Sequence, residues 1–214
     1  MNKFLIDQDS PSVQYLSKND KRLARVISSI GKIEYSVPDD PYQFLVEHIV
    51  GQMLSNKVAY IICERLNERC HGHISADSIM RLTDEQLLAT GVSRPKIKYI
   101  RRLTELVETN ELTFDELCSM NDADVIKTLT NVSGIGSWTA KMYLLFLLNR
   151  NDVLPFEDGA FLQAYKWLYK TDDVSKESIQ KKCKKWKPYS SIASRYMYKA
   201  LDSGLTKKEF HLYK

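Results

Sequence analysis

Apolar residues recur every three or four positions along most of this chain, which is the spacing of one helix face. The first such stripe follows Pro41, a residue suited to the first turn of a helix. Its members are Phe44, Leu45, His48, Ile49 and Met53. The next stripe covers about residues 56–69, and its members are Val58, Ile61, Ile62 and Leu66. Since no stretch shows sustained strand alternation, the pattern predicts an all-α fold of about ten short helices.

Polar residues and glycines predict where some of these helices begin and end. Thr83–Gln86 and Thr113–Glu116 have the spacing of capping boxes, in which the Thr side chain bonds the amide three residues on and the later side chain reaches back. Gly91 has the position of a glycine that ends a helix. Further stripes over residues 161–168 and 192–201 continue the helical pattern.

Residues 129–140 (LTNVSGIGSWTA) combine a helix end, a tight turn and a helix start. Gly134-Ile135-Gly136 forms the predicted turn, since glycine allows positive φ and close approach of a ligand to the backbone. Ile135 is expected to plug into the core. The amides of the helix that begins around Ser137 would point outward at its positive end, which favours phosphate binding. A plain helix–helix turn is the alternative.

Length and composition limit the class of protein. The chain has 214 residues, of which 43% are hydrophobic, and 31 Lys and Arg against 27 Asp and Glu give a net charge of +4. This composition indicates one globular domain or two small lobes rather than a disordered or fibrous protein. The longest apolar run, 142–148, has seven residues. A membrane span needs roughly 20, so we expect a soluble intracellular protein without membrane contact.

Charge and cysteine spacing add two expectations. Residues 181–214 carry ten basic and two acidic side chains, and residues 94–102 add five basic side chains in nine positions. Such patches favour a polyanion partner, most simply nucleic acid, although a solvated helix face explains them equally well. The spacing of the four cysteines, at positions 63, 70, 118 and 183, matches no zinc or iron–sulfur pattern, and we interpret them as buried thiols.

Together with the hairpin, four further segments resemble the helix-hairpin-helix DNA glycosylase superfamily, in particular the 3-methyladenine DNA glycosylase II type. They occur in that family's order and spacing, so the resemblance covers residues from about 9 to 201. The segments are Ile49–Ser55 (IVGQMLS), Gly91–Lys96 (GVSRPK), Leu154–Asp158 (LPFED) and Trp186–Ala193 (WKPYSSIA). The resemblance implies two small helical lobes, about 41–130 and about 131–201 with residues 1–40, and an active-site cleft between them.

The family flips a damaged base out of the duplex and cuts its N-glycosidic bond. The resemblance assigns the catalytic carboxylate to Asp158, with Glu157 secondary. Glycosidic cleavage builds positive charge on the sugar, so a fixed carboxylate beside the anomeric carbon stabilises the transition state and orients the attacking water. A role for Asp158 as the N-cap of the following helix is equally compatible with the sequence.

Trp138 occupies the position at which lyase-competent relatives carry a lysine nucleophile. The resemblance therefore implies a monofunctional enzyme that uses water. An electron-rich indole suits alkylated bases, which carry positive charge. Phe44 and Tyr165 are further candidates for the pocket wall, although their helical spacing also favours the core. Lys141 is expected at the surface or facing phosphate.

The resemblance also implies DNA contacts outside the pocket. Met53 stands where the family places the wedge that fills the gap left by the flipped nucleotide, with core packing as its alternative, and Gln52 beside it could bond an orphaned base. The expected phosphate donors are the amides of Gly134, Gly136 and Trp138 and the side chain of Thr139. In relatives, main-chain carbonyls at the positions of Thr130, Val132 and Ile135 hold a structural cation.

Two departures from the family pattern qualify the resemblance. The 40 residues before Pro41 are too few for the β-rich N-terminal domain of longer members, so a compact form is expected. Ser190 replaces the family's Arg in the Trp186–Ala193 segment. The cysteine cluster of the iron–sulfur branch is absent from the sequence, and no cofactor is required.

These inferences lead to one expected function and two alternatives. We expect a monomeric, monofunctional glycosylase that removes alkylated purines from double-stranded DNA and leaves an abasic site, as in base excision repair. It would act in the cytoplasm or nucleoid of a prokaryote or the nucleus of a eukaryote. The alternatives are a glycosylase of the same fold for another damaged base and a helix-hairpin-helix module that only binds DNA. Asp158 argues against the binding module, because a carboxylate near phosphate repels it.

Overall fold

The computed structural model describes residues 2–211, with the side chain of Asn2 excepted, and confirms a predominantly helical fold. The chain divides into two compact units. The central unit is Pro38–Leu148, and the terminal unit combines Met1–Val37 with Asn149–Lys214. The hairpin thus belongs to the central unit, whereas the sequence analysis grouped it with the C-terminal region. The hairpin belongs to the central unit because its apolar second helix, which begins at Ser137, packs against the helix that begins at Pro41.

The described part of the terminal unit contains a short sheet and five α-helices. The elements are β1 (Asn2–Ile6), α1 (Pro11–Asn19), α2 (Lys21–Ile30), β2 (Ile33–Val37), α11 (Gly159–Tyr169), α12 (Lys176–Cys183) and α13 (Ser190–Asp202). Two single 3₁₀ turns, Lys184–Trp186 and Leu205–Lys207, flank α13.

The antiparallel sheet was not predicted from the sequence. Strands β1 and β2 pair from Asn2 opposite Val37 to Ile6 opposite Ile33. The side chains of Ile6 and Ile33 are buried, whereas Phe4 and Leu5 are exposed. Each strand has only five residues and few of their side chains are buried. Strands this short show too little alternation of apolar and polar residues to be recognised from the sequence.

The core of the terminal unit is aromatic and surrounds the buried carboxylate of Asp20. Phe161 and Trp186 meet edge to face, with ring centroids 6.2 Å apart. Asp20 is 1% exposed and caps α2 by accepting from the amides of Arg22 and Leu23. The Trp186 indole donates to the same carboxylate at 2.9 Å.

Two further donors complete the shell of Asp20. The Tyr169 hydroxyl donates to its carboxylate, and the Lys185 ammonium lies 3.1 Å away. Burial opposes ionisation of this carboxyl group, but the donors outweigh burial, so its pKa lies below the ordinary value. This cluster links Asp20 in the N-terminal segment to Trp186, which is 166 positions later in the chain.

The central unit consists of eight α-helices. They are α3 (Pro41–Gly51), α4 (Asn56–Arg69), α5 (Ala76–Met80), α6 (Asp84–Ala89), α7 (Arg94–Glu108), α8 (Phe114–Ser119), α9 (Asp122–Thr130) and α10 (Ser137–Met142). Helix α10 continues into a π-helical turn, Tyr143–Leu147, whose first three residues are buried as the apolar sequence predicted.

Some predicted helix ends are confirmed. Pro41 opens α3, and Thr83 and Gln86 form a reciprocal capping box with bonds of 2.8 and 3.3 Å. Gly91 follows α6 with φ +104°. The second predicted box is wrong, because the Thr113 side chain makes no capping bond to α8. Its hydroxyl is instead buried without a hydrogen-bond partner.

The predicted stripe on α4 is only half correct. Ile62 and Leu66 are buried, but Val58 and Ile61 are exposed. The first turns of α4 therefore present apolar side chains to solvent. Among the described residues, no helix is long and apolar enough to cross a membrane.

Candidate functional site

The hairpin between α9 and α10 has the predicted turn. Gly134 has φ +87°, whereas Gly136 has φ −95° and needs no glycine on conformational grounds. A Cβ atom at Gly134 would lie 2.3 Å from the Tyr99 ring, so α7 closes against the turn. Ile135 is buried, as predicted. Tyr99 of α7 therefore packs directly against the hairpin turn at Gly134.

The loop after α3 presents Met53 to solvent. Its side chain is fully exposed, which excludes the core position that was its alternative. Its φ of +57° lies in the left-handed region, where residues other than glycine are uncommon. Met53 thus remains the predicted wedge.

Gln52 is already engaged within the protein. Its side-chain Nε2 donates to the carbonyl of Gly134 at 2.7 Å, which ties the Met53 loop to the hairpin. In this arrangement Nε2 is used for the hairpin rather than for an orphaned base. Sequence reasoning missed this contact, because its two residues are 82 positions apart.

Lys96, from the Gly91–Lys96 segment, holds the same loop. Its ammonium donates to the carbonyls of Val50 and Gln52, each at 2.7 Å. Burial lowers the pKa of Lys96. The segment's lysine is thus a structural cation at the end of α3.

Trp138 lines a pocket of about 490 Å³ within the central unit. Helices α3 and α4 supply the other walls, including His48 and Tyr60. The rings of His48 and Trp138 lie 6.0 Å apart. Trp138 is half-buried, which is compatible with its predicted position in a pocket wall.

Two carboxylates, Glu47 and Glu64, also line this pocket. Burial and then these two charges raise the pKa of the adjacent Cys63 thiol to about 11. Burial lowers the pKa of His48, whose Nδ1 lies 2.8 Å from the carbonyl of Phe44. A neutral imidazole, an indole and two carboxylates give the pocket an aromatic and negative lining.

Two predicted pocket residues lie elsewhere. Phe44 is buried behind the pocket, where its ring stacks on His48 at 4.0 Å. Tyr165 is buried in the core of the terminal unit, 6.3 Å from Phe161. Helical spacing, which favoured the core for both side chains, was the more reliable signal here.

Two predictions for α10 are also corrected. Thr139 is buried, so its hydroxyl is not available at the surface as a phosphate donor. Lys141 is only 7% exposed, although a surface position was expected. Helix α10 is buried on most of its faces, which explains both results.

Asp158 stands at the N-terminus of α11 and is 9% exposed. Its Oδ1 accepts from the Phe161 amide at 2.8 Å, which confirms the predicted N-cap. Tyr198 on α13 lies close enough to the same carboxylate for the two groups to interact electrostatically. Burial and then the Asp158 charge raise the pKa of Tyr198, so its hydroxyl stays protonated.

Arg195 lies one turn before Tyr198 on α13, in a second buried cluster. Its guanidinium lies 3.8 Å from the centre of the Tyr35 ring and donates to the Asn149 side chain at 3.1 Å. The Tyr35 hydroxyl donates to the same Asn149 oxygen. Burial lowers the pKa of Arg195. No sequence motif indicated this cluster or Tyr198.

Three residues of the basic cluster at 94–102, Lys96, Arg101 and Arg102, are engaged within the protein, whereas Arg94 and Lys98 are exposed. Arg101 binds the carbonyls of Ile79 and Leu82 together with Asp84, and Arg102 pairs with Glu105 at 2.6 Å. This cluster is thus weaker support for a polyanion partner than its charge suggested.

The C-terminal basic region retains more exposed charge. Lys185 and Lys187 pair with Asp20 and Asp152, whereas the side chains of Lys181, Lys184 and Lys199 are exposed. Lys214 lies outside the described residues. Of the cysteines, 70 and 183 are buried as expected, but Cys118 is exposed.

The carbonyls of Thr130, Val132 and Ile135 are the expected cation ligands. The Val132 carbonyl accepts from the Ile135 amide at 3.0 Å, which closes the turn but leaves a second lone pair. Main-chain oxygens are ligands that a hard cation takes, so the ion at these three carbonyls stays a prediction. No cluster of three His, Cys, Asp or Glu side chains within residues 2–211 could hold a metal.

Comparison with known proteins identifies the family. Residues 46–188 match the model of the HhH-GPD superfamily base excision DNA repair proteins, which is more than half of the chain. The chain belongs to the HhH-GPD superfamily.

Relatives and solved structures within the HhH-GPD superfamily are similar over nearly the whole chain. A DNA-3-methyladenine glycosidase from Bacillus halodurans is 36% identical, with a TM-score of 0.86 over 99% of this chain and 97% of the other. A Schizosaccharomyces pombe 3-methyladenine DNA glycosylase in complex with abasic DNA is 26% identical, with a TM-score of 0.82 over 90% and 97%.

Curated sequences give the same result for this HhH-GPD protein. DNA-3-methyladenine glycosylase 1 of Schizosaccharomyces pombe is 27% identical over 188 residues, which are 86% of this chain and 82% of the relative. The predicted superfamily and compact fold are thereby confirmed.

Proposed function

We propose that this protein is a monofunctional DNA glycosylase that removes alkylated purines from double-stranded DNA and leaves an abasic site. The observation that carries the proposal is Asp158, a buried carboxylate that accepts from the Phe161 amide and lies beside Tyr198. It stands in a chain similar over almost its full length to a 3-methyladenine glycosidase.

Asp158 supports hydrolysis through its charge. As the bond between C1′ and the base breaks, positive charge develops on the sugar, and the carboxylate stabilises it. The oxygen of a water molecule bonds to C1′, its proton passes to the carboxylate, and the base leaves with the bonding electrons. A cationic alkylated base is already a good leaving group, so a strong general acid is unnecessary.

The pocket beside Trp138 supports a cationic substrate. An indole face attracts positive charge, and the carboxylates of Glu47 and Glu64 add negative potential to the same pocket. Burial keeps His48 neutral, so its ring does not oppose the charge of such a base. The pocket is thus suited to an alkylated purine.

Trp138 also supports the absence of lyase activity. A lyase needs an amine that attacks the sugar to form a Schiff base, and an indole has no such nucleophile. Lys141 is nearby in the sequence, but its side chain is buried in α10. The product is therefore an intact strand that contains an abasic site.

DNA binding by a single chain follows from the same resemblance. The amides of Gly134, Gly136 and Trp138 are the proposed phosphate donors, and Met53 is the proposed wedge. A cation on the carbonyls of the hairpin would add positive charge next to a phosphate. We propose a monomer, because excision of one base needs one site.

The decisive experiment measures base release from duplex DNA that contains a single 3-methyladenine or 7-methylguanine. Wild type should release the base, with strand breaks only after alkali. Asp158→Asn should bind the same DNA but lose at least about 100-fold in the rate of release. The matched control is Glu157→Gln, which removes the adjacent acid and should retain most of the activity.

Three outcomes would contradict the proposal. Strand breaks without alkali would show lyase activity and overturn the argument from Trp138. Equal release by wild type and Asp158→Asn would remove the carboxylate from the mechanism. If wild type released oxidised or deaminated bases instead, a glycosylase for another lesion would replace the alkylated substrate.

A further inference from the structure

The exposed Met53 sits on the loop after α3, and the Leu54 amide closes this loop by donating to the Gly51 carbonyl at 3.1 Å. The Met53 backbone is left-handed, a conformation that is unfavourable for residues other than glycine. Such a conformation persists only where the surrounding structure determines it. The side chain contributes no packing here, because it is fully exposed. The cause therefore lies in contacts to the main chain around it.

Lys96 adds two contacts of this kind to the Leu54–Gly51 bond. Its ammonium donates to the carbonyls of Val50, in the last turn of α3, and Gln52, the residue that directly precedes Met53. The last carbonyls of a helix have no partner within it and lie at the negative end of its dipole. A cation there satisfies two carbonyls and fixes the direction in which the chain leaves α3.

The same region of α7 also contacts the hairpin. Tyr99, one turn after Lys96, places its ring where a side chain at Gly134 would be. The carbonyl of Gly134 in turn accepts from Gln52. Lys96, Gln52 and Tyr99 thus join the wedge loop and the hairpin turn into one connected structure within the central unit.

We propose that Lys96 is a positioning residue that sets Met53 for insertion into DNA, and that Gln52 and Tyr99 link this insertion to the grip of the hairpin on phosphate. The proposal rests on the proposed function for its substrate but not for its geometry. Lys96 touches neither base nor sugar in this role and acts through the conformation of Met53.

The first test measures insertion without catalysis. The probe is a duplex in which 2-aminopurine stands next to a tetrahydrofuran abasic-site analogue, so that unstacking by the wedge raises fluorescence. Wild type should give a large increase at saturating protein. Lys96→Met should reduce the increase several-fold, and Lys96→Arg, which keeps the charge and N–H donors, should restore part of it.

The matched control is Lys98→Met, which removes an exposed charge from the same helix. It should change the salt dependence of binding but not the fluorescence at saturation. If Lys98→Met and Lys96→Met lowered the signal equally, Lys96 would act only as a charge that attracts DNA, and the proposal would be wrong.

The second test asks whether Lys96 acts through Met53. Excision of a paired alkylated base should fall roughly 10- to 100-fold in Lys96→Met, mainly in kcat, since small misplacements have effects of this size. The loss should shrink for a lesion in an unpaired loop, where flipping costs little. In a Met53→Ala background, Lys96→Met should add little further loss.

The double variant also controls for folding. Met53 is fully exposed, so Met53→Ala should fold like wild type, and thermal melting of each variant measures any damage from Lys96→Met. An undiminished effect of Lys96→Met in the Met53→Ala background would overturn the proposal. Absence of base release by wild type would instead contradict the proposed function, while the fluorescence result would still decide the role of Lys96.

Discussion

Two buried aspartates of the terminal unit, Asp20 and Asp158, perform the same local task in different surroundings. Each precedes a helix and accepts a hydrogen bond from an amide of its first turn. Asp20 is further bound by an indole, a tyrosine hydroxyl and an ammonium group. Asp158 accepts from the Phe161 amide, and its charge acts on the neighbouring Tyr198.

This difference shows that burial and capping do not identify a catalytic carboxylate. Asp20 is the more deeply buried of the two, at 1% against 9% exposure. Its donors converge from three parts of the chain, which is the arrangement of a carboxylate that stabilises the fold. Chemistry at Asp158 is proposed from its place in a family segment, and the contrast with Asp20 can be tested directly.

The largest expected effect on stability is that of Asp20→Ala. It leaves Trp186, Tyr169 and Lys185 without their acceptor, and loss of one partner from a buried charged cluster costs about 3–5 kcal/mol. Asp158→Ala removes mainly a helix cap, which costs about 1 kcal/mol. Urea denaturation of the two variants measures both values. Equal losses would mean that the two carboxylates have equivalent structural roles.

Trp186→Phe should have the next largest effect. It keeps an aromatic ring in the core but removes the indole N–H that donates to Asp20. A hydrogen bond to a charged group contributes about 1.5–3 kcal/mol, so the free energy of unfolding should fall by that amount. In an Asp20→Ala background the same substitution should cost much less. An unchanged cost there would show that the effect comes from packing alone.

Tyr198→Phe extends the comparison to the proposed catalytic carboxylate. The Tyr198 hydroxyl interacts electrostatically with Asp158, so its removal should lower kcat for base release about tenfold, the equivalent of roughly 1.4 kcal/mol. KM should change little, because the substitution leaves the DNA contacts in place. Tyr196→Phe, on the same helix, is the control, since its hydroxyl donates to Gly31 instead. Equal losses in kcat would argue against a specific role for Tyr198.

The smallest expected effect is the response of stability to acid. The pKa of Asp20 is lowered in the folded protein, so its contribution is present above the ordinary value of 3.8 and is lost as pH falls through the lower, folded value. Wild type should therefore lose more stability than Asp20→Asn between pH 5 and the acid transition. Parallel curves of the free energy of unfolding against pH would contradict this.

The sequence predicted the helices well because their signals are local. Pro41, the Thr83–Gln86 box and the turn at Gly134 each depend on a few neighbouring residues. The Asp158 cap belongs to the same class. Thr113 failed despite the right spacing, because its buried hydroxyl is not directed at the amide of the next turn.

The rest could not be predicted because it depends on distant contacts. Lys96 was counted as part of a basic patch, although it binds carbonyls that are more than 40 positions away. Thr139 was assigned to phosphate by its position in the hairpin and Tyr165 was a candidate for the pocket wall as an aromatic residue, but neither signal shows the face on which a side chain lies. Whether a side chain lines a pocket or lies in the core depends on how several helices pack together, which a local sequence pattern does not show.

The split of the terminal unit has a consequence for the order of synthesis. The central unit is continuous, so all of its residues have been made before Asn149 is added. The hydrogen bond between Asp20 and Trp186, by contrast, cannot form until the 166 residues from Asp20 to Trp186 have been made. Their translation takes on the order of ten seconds or more. During that interval the N-terminal helices lack their aromatic partners, so their apolar faces are exposed until the C-terminal helices have been made.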